Sequence, residues 1–221
     1  MSDGGSLLPI FPLGTVLFPG GTLPLRIFEE RYKLMIGRCI QERRPFGVVL
    51  IKAGVEVGGG AVPHGIGTTA RIARVEQLPQ GRYNLLTVGV DRFRIVETDT
   101  SEPYLQAQVE YLTRADAADA ETQATAERVS AMFADHYRWT LLLGDQWTRQ
   151  VALPTRPEML ADFIANRLEV EVGVKQELLE SGTVRECLER EERILTQANR
   201  LLYARVQAQQ RQKYGGFGAA N

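Results

Sequence analysis

The chain has 221 residues, 44% of them hydrophobic and 24% charged, with 26 basic against 27 acidic side chains. That is enough for one large domain or two small ones, and too rich in aliphatic residues for a disordered chain. The near-neutral balance excludes a large polycationic footprint for nucleic acid, and no apolar run approaches the length that crosses a bilayer. The start MSDGGS has neither a basic nor an apolar leader region. Cys39 and Cys187 form no CxxC pair, so the expectation is a protein of the reducing cytoplasm, without a disulfide framework.

The first half carries the marks of short strands. Phe11 to Tyr32, FPLGTVLFPGGTLPLRIFEERY, places three prolines and a glycine pair in apolar sequence. Pro12, Pro19 before Gly20, and Pro24 are expected at sharp corners between short extended segments, because proline fixes φ and removes a donor. Arg26, Glu29, Glu30 and Arg31 are expected to pair with one another around the first turn of a helix. That helix runs from Arg31 to Gln41, with Tyr32, Met35, Ile36, Cys39 and Ile40 at helical spacing.

FGVVLIK (46–52) is a compact β-branched run, and 54–69, with its GGG and GIG glycines, is expected to be a flexible loop. TARIARVEQL (69–78) and RYNLLTVGV (82–90) flank a hairpin turn at Pro79-Gln80-Gly81. RFRIV (92–96) is expected to turn Phe93 and Ile95 to one face and Arg92 and Arg94 to the other. In YLQAQVEY (104–111), Leu105, Ala107, Val109 and Tyr111 are expected to point inward. Short strands joined by turns imply a closed or nearly closed antiparallel β-barrel carrying one helix, over residues 7–112.

After Leu112 the period changes from two to about 3.6. Residues 116–121 are expected to be a linker or helix start. Val129, Met132, Phe133, His136, Tyr137, Thr140 and Leu141 then define one helix face. Pro157 opens the next helix, KQELLE is a short helical piece, and Thr183 caps a long final helix striped from Val184 to Val206. Residues 117–213 are thus expected to form an α-helical bundle and 214–221 a flexible tail. The fold class is α+β.

The chemistry-bearing motifs that would indicate an enzyme are absent from the sequence. There is no GxxxxGK[ST] loop, Rossmann fingerprint or GxSxG elbow. His64 and His136 have no partner at metal-ligand spacing. Neither cysteine matches a thiol-protease signature, and both lie on apolar helix stripes, where a buried inert thiol is expected. The expectation is a protein that is not an enzyme, with no cofactor and no metal.

LPIFPLGTVLFPGGTLPLRIFEERY, followed by FGVVLI, GTTARI, QGRYNLLTVGVDRFRI, PEMLADFIANRLEV, VKQELLE and a helix containing EERIL, resembles the N-terminal domain of ATP-dependent Lon proteases from Leu8 to about Leu202. The resemblance implies a PUA-like β-barrel followed by a helical bundle, and a non-catalytic, stand-alone module that recognises protein substrates. It implies as partner an unfolded polypeptide, or a protein such as a protease or chaperone, in a protein quality-control role. Phe28, Val62, Pro63, His64 and Ile66 are the expected contact residues. Pro12, Pro19, Gly20, Pro24, Arg26, Glu29, Arg31 and Tyr32 are expected to be structural. The alternative is RNA binding through Arg71, Arg74, Arg92 and Arg94 on one outer face; Glu76, Asp91 and Glu97 weigh against it. The long final helix leaves homo-oligomerisation open.

Overall fold

The computed structural model describes residues 7–54, 60–144 and 152–214. In chain order the elements are β1 (Leu8–Leu13), β2 (Thr22–Ile27), α1 (Glu30–Glu42), β3 (Phe46–Ala53), β4 (Val62–Leu78), β5 (Arg82–Asp99) and β6 (Gln106–Leu112). Four helices follow: α2 (Ala120–Leu143), α3 (Pro157–Arg167), α4 (Val172–Glu180) and α5 (Val184–Tyr214). They group into two compact units: Met1–Thr113 with Ala165–Glu180, and Arg114–Ile164 with Ser181–Asn221. Residues 165–180 therefore group with the barrel, where the sequence pattern had set one boundary near Leu112. The expected tail lies outside the described residues apart from Tyr214.

In the first unit the strand order is β2-β5-β4-β3-β1-β6, and β5 pairs with β6 as well, which closes the sheet on itself. The ladders are antiparallel except between β1 and β3, which run parallel. Parallel neighbours need a crossover, and α1 supplies it between β2 and β3. RYNLLTVGV and RFRIV join into one strand, β5, whose first part pairs with β2 and whose second part pairs with β6.

β1 is buried along its whole length, which explains its nearly continuous apolar sequence. Successive side chains alternate between faces. Phe11 and Leu13 join Tyr32, Met35, Ile36 and Cys39 of α1 in one cluster, whereas Leu8 and Ile10 join Val49, Phe93 and Ala107 in another.

Two of the prolines lie inside strands, not at corners. Ile10 N donates to Leu105 O, so the nitrogen of Pro12, two residues on, faces the same edge. The β1–β6 register covers only Leu8 and Pro9, and no ladder donor is needed at Pro12. Pro24 sits in β2, which has a single strand partner and tolerates a missing donor on its outer edge. Pro19 does precede a turn: Gly20 has φ +72°, and Gly21 N donates to Phe18 O.

The GIG glycines are in strand β4, not a loop, and at Gly67 a side chain would not fit, since its Cβ would run into Val48 O. A Cβ on Gly47 would meet Phe93 Cζ at 2.6 Å and Ile10 Cδ1 at 2.8 Å; one on Gly67 would meet Phe93 Cζ at 2.9 Å. The fully buried Phe93 ring occupies the space beside two glycines on neighbouring strands. Residues 55–59 of the expected loop, with the first two glycines of GGG, lie outside the described residues.

Residues 165–180 are tied to the barrel by hydrogen bonds from both sides, one of them at the C-terminal end of α4. Arg92 Nη1 donates to Leu179 O at 2.6 Å in the last turn of α4, a cation at the negative end of a helix. Gln176 Nε2 donates to Ile66 O at 3.0 Å. Leu178 and Leu179 are both buried.

In the second unit α2 packs on α5. His136 Nδ1 lies 2.9 Å from Asn199 Oδ1, Asn199 Nδ2 donates to Met132 O, and Arg128 pairs with Glu192. The start of α5 is capped twice. Thr183 Oγ1 accepts from Glu186 N at 3.0 Å, as expected for that residue. The Asp116 carboxylate takes the two preceding amides, Val184 N at 2.7 Å and Arg185 N at 3.1 Å. Residue 116 thus serves as a helix cap delivered from another part of the chain. Of the final stripe, Val184, Cys187, Leu188, Leu195 and Val206 are buried, but Leu201 is exposed.

Gly47→Ala is expected to cost about 1–3 kcal/mol in chemical denaturation because it overpacks the Phe93 pocket. Gly65→Ala, with nothing within reach of its Cβ, is expected to stay within about 0.5 kcal/mol of wild type. Burial alone would raise the Asp116 carboxyl, but its backbone hydrogen bonds to Val184 and Arg185 hold it below the usual range. Asp116→Ala is expected to cost about 1–2 kcal/mol at neutral pH. A depressed folded pKa gives stabilisation that is present above the unfolded value, about 3.9, and lost as pH falls through the folded one. The stability gap between wild type and Asp116→Ala is therefore expected to close in acid.

Candidate functional site

A cleft of about 520 Å³ lies in the barrel unit, lined by the C-terminal end of α1 and by residues of β4, β5 and β6. Its apolar surface comes from Ile40, Pro45, Ile72, Val75 and Val90, with Tyr111 as its one aromatic side chain. Arg43, Arg44, Arg71, Thr69 and Asp91 supply the polar groups. Val75 and Val90 are each 43% exposed and Tyr111 is 58% exposed, so large apolar groups face solvent here. Tyr111 was expected to point inward. The ladder pairs it with Phe93, yet the Phe93 ring is fully buried and the Tyr111 ring is not.

Two backbone irregularities shape the cleft. The β4–β5 register steps from Thr68↔Arg92 to Ala70↔Gly89, so Val90 and Asp91 of β5 stand opposite Thr69 alone, a β-bulge. Thr69 Oγ1 accepts from Asp91 N at 3.0 Å and donates to Asp91 O at 3.3 Å. The hydroxyl thereby replaces the ladder bonds that the extra residue displaces, and the bulge holds Val90 out into the cleft. At the opposite wall, α1 ends in the left-handed region: Arg43 has φ 52° and ψ 35°, and Arg44 N donates to Cys39 O at 3.0 Å. Glycine is the usual residue in this cap. Here an arginine takes it.

The arginines differ in what they hold. Arg44 donates to Leu7 O and pairs with Glu42 at 3.1 Å, so it fixes the helix end to β1. Arg43 and Arg71 are exposed, and among the described residues neither guanidinium has a hydrogen-bond or ion-pair partner. Cys39 backs the cleft but is 1% exposed, and burial pushes its thiol up to about 11 against the pull of Arg44. It is the inert buried thiol expected. Among the described residues, no group of three or more His, Cys, Asp or Glu is placed to hold a metal ion.

The residues singled out from sequence lie elsewhere and are not brought together. Phe28 is 54% exposed between β2 and α1, next to Ile27, which pairs with Tyr83. Val62, Pro63, His64 and Ile66 lie in strand β4, where Ile66 pairs with Arg94, toward the other end of β5. Val62 is 53% exposed, whereas His64 Nδ1 lies 3.4 Å from Glu180 Oε1 and the Ile66 carbonyl is taken by Gln176. In the RIFEERY segment the ion pairs are Arg31 with Glu29 and Glu30 with Lys33. Glu30 thus finds its partner one helical turn on, and exposed Arg26 belongs to β2. Tyr32 is buried against the Phe11 ring, centroids 4.1 Å apart.

The four arginines considered for RNA do not share an outer face. Arg92 is 6% exposed and holds α4, and Arg94 pairs with Glu110. The cleft itself was missed because its walls come from α1, the β-bulge and β6. The one local signal was an arginine pair at a helix end, before Pro45, with no glycine to cap it.

This closed, mixed six-stranded sheet with helices aligns with solved Lon N-terminal domains. A family model described as the ATP-dependent protease La (LON) substrate-binding domain matches residues 7–197, and the chain belongs to that family. It is 30% identical over 209 residues to the Lon protease of Anaeromyxobacter dehalogenans, covering 90% of this chain and 25% of that protein. The figures for Lon protease 2 of Myxococcus xanthus are the same. The chain thus spans about a quarter of the length of these curated relatives. The crystal structure of a Lon N-terminal domain protein from Xanthomonas campestris aligns with TM-score 0.59 and 26% identity, over 84% of this chain and 96% of that one. The N-terminal domain of the Mycobacterium avium complex Lon protease aligns with TM-score 0.62 over 88% and 98%, at 19% identity, a likeness of fold.

Thr69→Val is expected to leave Asp91 N without its acceptor in the bulge. The cost is about 1–3 kcal/mol in denaturant titration, with faster hydrogen exchange at Asp91.

Proposed function

We propose that this chain is a non-catalytic protein-binding module that takes extended segments of unfolded or partly folded polypeptides at the cleft between α1 and β4–β6. The observation that carries the reading is the cleft: solvent-facing Val75, Val90 and Tyr111 beside Ile40 and Ile72, in a domain of the Lon substrate-binding family. Apolar surface of this kind, rimmed by polar groups, suits a side chain that folding would otherwise bury.

Side-chain capture fits better than strand addition. β2 has one strand partner, but Pro24 at its centre removes a donor that an added strand would need. The Val62–Ile66 stretch and Phe28 stay as a second candidate surface, with Val62 and Phe28 exposed.

The test is fluorescence anisotropy with a labelled, reduced and carboxymethylated polypeptide, against its folded counterpart. Binding of the unfolded form alone, on the order of micromolar, is expected. Val75→Asp and Val90→Asp, both at exposed positions, are expected to weaken it at least about tenfold without moving the denaturation midpoint, the size of a lost apolar contact plus a buried charge. If Val62→Asp weakens binding and the cleft variants do not, the site lies at Val62–Ile66. Absence of binding to either form removes the proposal.

A further inference from the structure

We infer that the cleft is selective for client segments in which an apolar side chain is flanked by carboxylates, so that acidic-apolar stretches are its preferred ligands; this rests on the protein-binding reading above. The first ground is charge. Arg43 and Arg71 stand at the cleft, exposed and without an ion-pair partner among the described residues, against the single carboxylate of Asp91. Arg44, the third arginine, is held by Leu7 O and Glu42. The balance at the cleft is therefore positive in a chain whose formal net charge is -1, and a ligand carboxylate is the group that complements it.

The second ground is the backbone at Arg43. A non-glycine residue in the left-handed helix cap is disfavoured relative to glycine, yet this cap carries a long cation whose guanidinium has no hydrogen-bond or ion-pair partner among the described residues. The conformation turns the chain sharply at the edge of the cleft and delivers Arg43 and Arg44 in succession. The apolar part of the ligand is defined by the floor. Ile40, Ile72 and Val90 are aliphatic and suit an aliphatic or aromatic side chain. A run of nucleic-acid bases needs several stacking rings, and among the described residues the cleft offers Tyr111 alone, with Asp91 set against phosphate.

The experiment uses short fluorescent peptides with one Leu-Phe core, flanked by aspartates, by serines or by lysines. Each is titrated against the full chain at low and physiological salt. The aspartate peptide is expected to bind tightest and the lysine peptide weakest, with the difference narrowing as salt rises. Arg43→Gly suits the backbone it replaces and is expected to leave the denaturation midpoint unchanged or higher. Arg71→Gln is an exposed substitution. Each is expected to weaken the aspartate peptide about tenfold while leaving the serine peptide within about twofold, as for loss of one charge-assisted contact.

Equal affinity for the three peptides, or a preference that survives both substitutions, overturns the selectivity and leaves the protein-binding reading standing. Failure of all three peptides and of the unfolded polypeptide overturns both. Displacement of the aspartate peptide by mixed-sequence RNA assigns the arginines to phosphate instead. A dimer that the aspartate peptide dissociates in sedimentation assigns the cleft to a second copy of the chain. Either result overturns the inference.

Discussion

A sheet of short strands closes only if one strand can hydrogen-bond along both edges and bend as it changes partners, and β5 is that strand. It pairs with β2 and β4 in its first part and with β4 and β6 in its second. The step between these regimes falls at Val90 and Asp91, where the ladder gains a residue. A bulge in the middle of a sheet leaves backbone groups to satisfy, and the Thr69 hydroxyl supplies both partners. Phe93, directly after the bend, fills the interior beside Gly47 and Gly67. Closure, the bulge and the glycines form one constraint. It also decides which side chains β5 presents to the cleft.

The polar groups of the first unit divide by task. Arg92, Arg44 and Gln176 each donate to a backbone carbonyl, and in doing so they fix α4 and the end of α1. Unpaired buried groups would cost more than these bonds gain, so such side chains have little freedom to serve a ligand. Arg43 and Arg71 are different: both face solvent at an apolar cleft, with no ion-pair or hydrogen-bond partner for the guanidinium among the described residues. Surface arginines without partners are ordinary singly. Two of them bracketing exposed valines define a chemistry for whatever enters.

The second unit makes the same point about distance in sequence. Its longest helix begins where Asp116 and Thr183 together take the first three amides of α5. Thr183 is adjacent to the helix and follows a local rule. Asp116 arrives from far along the chain, and no periodicity marks it. Arg114, two residues earlier, is buried against Asp162 at 2.9 Å, so the alanine-rich stretch that reads as a linker is anchored by side chains at its start.

The sequence by itself determined strands within 46–52, 69–78, 82–96 and 104–111, helix α1, the Thr183 cap and the helical second half. It also carried the family, through ordered motifs from Leu8 onward. These features rest on side-chain period, proline and glycine chemistry and local caps, all of which act over a few residues. Only the tertiary structure decided that Pro12 and Pro24 sit inside strands, that Gly65–Gly67 is strand, and that residues 165–180 group with the barrel. It alone placed Arg92 inside and Tyr111 outside. Each of these depends on which residues distant in sequence become neighbours: the edge that Pro12 faces, the ring that fills the place beside Gly67, the carbonyl that Arg92 reaches. The cleft belongs to this second class, because its walls meet only when the sheet closes through the bulge at Thr69.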